Sequence, residues 1–101
     1  MSNAGSFDLD TRSPATLGVR GELTFDNAAA ALLAISAALV AGNAVRLDLV
    51  EVRHCDSAGL ACVLAVAAEA GRRGAPLQVS GMPAGMRALA RVCEVDRLLL
   101  G

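Results

Sequence analysis

The chain has no lysine, tryptophan or tyrosine, a single histidine, three prolines and two phenylalanines among its 101 residues. Two rings cannot build the aromatic platforms on which single-stranded nucleic acid bases stack. Nine arginines face ten Asp and Glu for a formal charge of −1, a balance that argues against a broad basic face for nucleic acid or anionic lipid. The three cysteines, Cys55, Cys62 and Cys93, are an odd number without C-x-x-C spacing. They are expected to be small buried thiols in a reducing compartment rather than a disulfide framework. The longest apolar run, Ala28 to Ala41, is interrupted only by Ser36 and falls short of the roughly 20 residues that cross a bilayer. Met1 to Pro14 carries no hydrophobic stretch like that of a secretory leader, so the protein is expected in the cytoplasm.

What is present is aliphatic. Hydrophobic residues make up 54% of the chain and aromatic ones 2%, which implies a core of close-packed Ala, Leu and Val layers. A chain of this length is normally one domain. Residues 1–5 read as a tag-like or frayed start, and 6–101 as the domain.

Phe7 to Arg12 and Ala15 to Leu23 alternate in part and are separated by Ser13-Pro14, the pattern of a β-hairpin. Asp26 or Asn27 can cap the next run, where Ala28, Leu32, Ile35 and Leu39 recur at helical spacing. That helix is expected to end before Gly42-Asn43. Val45, Leu47 and Leu49 alternate with Arg46 and Asp48 as in a strand, and Val50 and Val52 leave its far end open. Leu60, Val63, Leu64, Ala67 and Ala70 then mark a second helix closed by Arg72-Arg73-Gly74. Leu77 and Val79 mark a short strand, and Pro83 opens a last amphipathic segment with Met86, Leu89, Ala90 and Cys93. Val95 to Leu100 is an apolar tail with the sheet as a docking place. The order ββαβαβα implies an α/β fold with crossovers onto a partly parallel sheet.

Chemistry concentrates at Asp56-Ser57-Ala58-Gly59, between a strand and a helix. Unpaired backbone N–H groups and the positive end of the helix dipole meet a carboxylate and a hydroxyl there. Capping alone accounts for Asp and Ser at such a place, with a contribution on the order of 1 kcal/mol. No catalytic triad follows, because the only histidine, His54, lies on the strand side. His54 and Cys55 are neighbours on an extended segment and point to opposite faces, so a shared metal is not expected. Cys62 and Cys93 fall inside helical patterns and read as core filler. Gly81-Met82-Pro83-Ala84-Gly85 lacks the lysine of a phosphate-binding loop. Arg72, Arg73, Arg87, Arg91 and Arg97 suit solvated faces and helix ends, or a grip on an acidic partner. Neither a cofactor fingerprint nor an enzymatic constellation is present.

The ordered set Gly21-Glu22-Leu23, Arg46-Leu47-Asp48-Leu49, Asp56-Ser57-Ala58-Gly59-Leu60 and Leu77-Gln78-Val79-Ser80-Gly81 resembles the STAS domain, named for sulphate transporters and anti-sigma-factor antagonists. The resemblance spans roughly residues 7 to 100. It implies a STAS-type, SpoIIAA-like mixed sheet of four to five strands with three to four helices. Within that family, Asp56 to Ala61 is similar to the helix opening of the subunit that accompanies the ATPase of the Mla-type phospholipid ABC transporter. Anti-sigma-factor antagonists instead carry Asp-Ser-Ser-Gly and are phosphorylated at the second serine, where this chain has Ala58. They usually follow Gly-Glu-Leu with Asp, where this chain has Thr24.

The resemblance thus implies a non-catalytic adaptor without a cofactor, cytoplasmic and held at the inner membrane through its partner. That partner is an ABC transporter ATPase subunit or, alternatively, a kinase-type anti-sigma factor; nucleic acid and direct membrane insertion are not expected. The implied partner-binding residues are Asp56, which fixes the turn, Ser57 at the centre and a candidate for phosphorylation, and Ala58 and Gly59, which allow close backbone approach. Leu60 would pack beneath, and Met82 and Met86 would widen the contact from an exposed, adaptable loop.

Overall fold

In the computed structural model, which describes residues 6–95 and 98, the apolar alternations pair into a four-stranded sheet. Strands β1 (Phe7–Asp10) and β2 (Thr16–Leu23) form the expected antiparallel hairpin, with Phe7 opposite Gly21 and Asp10 opposite Gly18. At its tip the Thr16 N–H donates to the Ser13 carbonyl at 3.3 Å, a turn with proline at the position its fixed φ favours. β2 leads through α1 (Ala28–Ala41) to β3 (Arg46–Cys55), and β3 through α2 (Ser57–Arg72) to β4 (Gln78–Ser80), after which comes α3 (Ala84–Val92). The sheet order is β1-β2-β3-β4, with β2–β3 and β3–β4 parallel. Parallel neighbours need crossovers, which α1 and α2 provide.

Leu17, Val19 and Leu23 of β2 and Leu47, Leu49 and Val52 of β3 share one core with Ala31, Ile35 and Leu39 of α1 and Leu60, Cys62, Val63 and Val66 of α2. The two helices pack on each other and so cover the same face of the sheet. On the other face Asp8, Arg20, Glu51 and Arg53 are exposed. Arg20 pairs there with Asp8 at 2.8 Å.

β3 runs on to Cys55, past the point where the sequence alternation blurs. It has 10 residues against 8 in β2, and two register shifts absorb the difference, one between Gly18 and Arg20 and one between Gly21 and Glu22. At the first, Val50 and Glu51 are exposed in succession and Val52 returns to the core, as an inserted residue in one strand requires. At the second, Gly21 adopts φ 98°, and a Cβ there would lie 2.6 Å from the Ser6 carbonyl oxygen. Only glycine is comfortable in both respects.

Cys93 corrects the sequence reading. It is exposed, because α3 ends at Val92 and the chain turns away at Glu94, with φ 59°. Cys55 is half-buried and Cys62 buried. Val95 packs against the core and Leu98 is exposed; Arg97, the rest of the expected apolar tail and the expected frayed start lie outside the described residues. Among the described residues no helix is long and apolar enough to cross a membrane.

Candidate functional site

β2 and β3 are parallel neighbours, so the loops that leave their C-terminal ends emerge side by side. The last register pair is Leu23 with Cys55, and the Asp56 N–H donates to the Leu23 carbonyl at 3.3 Å. From there residues 24–27 lead into α1, while Asp56 leads directly into α2.

Asp56 ties the two loops together. Its backbone is extended (φ −109°, ψ −171°), the geometry of a helix N-cap. Oδ1 accepts from the Gly59 N–H at 3.1 Å, and Oδ2 accepts from the Phe25 N–H at 3.0 Å across the gap between the loops. The Phe25 amide, and with less weight those of Gly59 and Ala58, hold the carboxyl below the usual Asp pKa against the opposing effect of burial. Asp56 is therefore an anion at neutral pH, and its charge is used internally.

With Asp56 as the cap, the Ser57 side chain stands exposed on the first turn of α2, and Ala58 beside it is half-buried. Gly59 and Leu60 are buried. Gly59 was expected among the partner-facing residues, and the structure corrects this. A Cβ there would run into the carbonyl oxygen of Leu23 and lie 2.9 Å from the Leu23 Cβ, so the close approach that glycine permits is to the chain's own β2. Leu60 lies in the core under the turn.

Met82 and Met86 are also corrected. They are 7% and 0% exposed and belong to the core. Gly81 takes φ 71° and Pro83 starts α3 with φ −62°, and these two constraints turn the chain inward, so neither thioether is available to a partner.

The other reactive groups do not converge on Ser57. His54 is exposed on β3, and its charge lowers the Asp56 pKa less than the backbone amides do. Burial pushes the Cys55 and Cys62 thiols up to about 11, so both are protonated at neutral pH and poor nucleophiles. The Cys55 thiol donates to the Asp56 carbonyl at 3.2 Å. A cavity of about 500 Å³ is lined by Phe7, Asp8, Arg20, Glu51 and Arg53 among others, and by no residue of this turn.

Phe25, in the first loop, escaped the sequence reading, and Thr24 entered it only as a departure from the antagonist pattern. Phe25 is 83% exposed, although it is one of only two aromatic residues in the chain. Thr24 is 8% exposed, and its hydroxyl has no hydrogen-bond partner among the described residues. Asn27 holds this loop: its Oδ1 accepts from the Thr24 N–H at 3.0 Å, and its Nδ2 donates to the Glu22 carbonyl at 2.7 Å. The only sequence signal for Phe25 was the scarcity of rings.

A family model described as "Mlab, STAS domain" matches residues 8–101. The fold is similar to that of the anti-sigma factor antagonist SpoIIAA in its unphosphorylated form, with 20% identity, a TM-score of 0.63 and coverage of 92% of this chain and 97% of that one. It is also similar to the Bacillus cell fate determinant SpoIIAA in the phosphorylated form, at 20% identity and a TM-score of 0.66, covering 92% and 87% of the two chains. An uncharacterized Shewanella loihica protein with a SpoIIAA-like fold matches at 16% identity and a TM-score of 0.50, over 93% and 81%. No curated protein sequence matches the chain.

Proposed function

The chain belongs to the STAS domain family, and from that premise we propose that it is a non-catalytic adaptor that docks through the Ser57 turn on the ATPase subunit of an Mla-type phospholipid ABC transporter. The observation that carries this reading is the division of labour at the start of α2. Asp56 and Gly59 are committed to holding the turn, which leaves the exposed Ser57 hydroxyl as the polar group presented to a visitor. The description of the matching family model and the Asp-Ser-Ala-Gly-Leu-Ala opening support the transporter as its setting. The adaptor acts by binding one ATPase conformation more tightly than another, since equal affinity for both would shift nothing. A tenfold preference corresponds to about 1.4 kcal/mol. The adaptor lies in the cytoplasm and reaches the inner membrane only through its partner.

The fold shared with SpoIIAA favours a second reading, an anti-sigma-factor antagonist switched by phosphorylation. Ala58 removes the second serine of that pattern, so the phosphate would fall on Ser57. There it would add about −1.5 to −2 charges next to the Asp56 anion.

Co-expression with the ATPase subunit tests the first reading: a stable complex with altered ATP hydrolysis is expected, and Ser57→Arg should abolish it. Failure to form a complex removes the transporter reading. A complex with a kinase-type anti-sigma factor, together with a one-phosphate gain in mass on incubation with that factor and ATP that is lost in Ser57→Ala, establishes the second.

A further inference from the structure

We infer that Phe25 is the apolar anchor of the same docking surface, and that Asp56 is a positioning residue that locks the Phe25 ring and the Ser57 hydroxyl into one two-loop unit. This rests on the adaptor reading and names the second half of its site.

The other phenylalanine, Phe7, packs against the core; Phe25 leaves 83% of its surface in water. A ring so placed adds little to folding, and docking would return its apolar surface from water to a packed environment. The loop that carries it is constrained. The Asn27 and Ala28 N–H groups donate to the Thr24 carbonyl at 3.0 and 2.8 Å, Asn27 braces Thr24 and Glu22, and Asp56 accepts the Phe25 N–H itself. A rigid aromatic with two side-chain torsions loses little freedom on docking, which is the character of an interface hot spot.

Charge identifies the occupant. Asp26 is exposed beside the ring, and residues 24–30 and 56–61 contain no arginine, so this surface gives anionic lipid headgroups no cationic partner. It suits a protein surface with a ring-sized apolar pocket, a basic rim and an acceptor within reach of the Ser57 hydroxyl.

The test is titration of the purified ATPase subunit with the full chain and its variants. Phe25→Ala, at an exposed position, should keep the wild-type melting temperature and weaken binding about 30-fold or more, while Phe25→Leu should retain most of the affinity. Asp56→Asn keeps a cap for α2 but turns an N–H donor toward the Phe25 N–H. It should weaken binding, and Phe25→Ala with Asp56→Asn should lose less than the product of the two single effects, because one residue acts through the other. Additive losses would overturn the positioning role. Wild-type affinity in Phe25→Ala alongside weakened binding in Ser57→Arg would overturn the anchor and leave the adaptor reading standing. No binding by the wild-type chain would remove both. Phe25-dependent binding to phosphatidylglycerol vesicles, with ATPase binding unaffected by the same substitution, would also overturn the proposal.

Discussion

The starts of α1 and α2 lie next to each other at one end of the sheet, yet they solve the same problem differently. At α2 a charged cap satisfies one orphan N–H of the helix and reaches across to a neighbouring loop, and a glycine lets the first turn sink onto the Leu23 carbonyl. At α1 no side chain caps the helix. Asn27 bonds backward to the Thr24 N–H, the reciprocal half of a capping box, while the Thr24 hydroxyl that would complete it has no partner among the described residues. At the α2 start both carboxylate oxygens of Asp56 are engaged, and Ser57 is presented at a fixed place. The α1 start leaves one polar group unsatisfied and depends on the Asp56 carboxylate of its neighbour.

Substitutions break this contrast in order of size. Gly59→Ala pushes a methyl group into the Leu23 backbone and should cost about 3 kcal/mol or prevent folding. Gly71→Ala in the last turn of the same helix, where a Cβ would meet nothing within 4 Å, should gain about 0.5–1 kcal/mol; urea denaturation of both variants separates tight packing from helix propensity. At the other start, Asn27→Ala strips partners from the Thr24 N–H and the Glu22 carbonyl and should cost about 2 kcal/mol by the same measurement.

Asp56→Asn should cost about 1 kcal/mol near neutrality, and its signature is in pH. The folded-state pKa of Asp56 is lowered, below an unfolded value of about 3.9. Its contribution is therefore complete above that unfolded value and disappears as pH falls through the lowered folded one. Melting curves of wild type and Asp56→Asn should stay separated from pH 7 to about 5 and converge below about 4. The smallest effect is expected from Thr24→Val, which replaces an unpartnered buried hydroxyl with a methyl group of similar shape. It should be neutral or stabilising by up to about 1 kcal/mol, and a clear loss would mean that the hydroxyl has a bonding role after all.

The alternation of Leu17 with Val19 and of Leu47 with Leu49, and the helical spacing along α2, make the element order and the mixed sheet legible in the sequence. The far end of β3 was not legible, because each bulge resets a two-residue period by one and Val50 to Arg53 then read as noise. The Asp56-Ser57 turn was visible as a local motif. Its link to Phe25 was not, since an exposed ring in a loop has no periodicity and the hydrogen bond joins residues 31 positions apart. Met82 and Met86 misled for a related reason. Their composition suggested an adaptable surface, whereas the backbone angles at Gly81 and Pro83 decide which way the loop faces.

The hairpin pairing also bears on how such a protein can be handled. The Glu22 N–H donates to the Ser6 carbonyl at 2.9 Å, so a fluorophore or affinity handle fused ahead of Ser6 would be delivered to the end of the sheet that carries Phe25 and Ser57. There a dye would be well placed to sense an arriving visitor, and a bulky fusion to obstruct it. Ser13 and Pro14 are exposed at the opposite end, roughly 25 Å away along β2 at strand rise, and a tether grafted there would leave the docking end unencumbered.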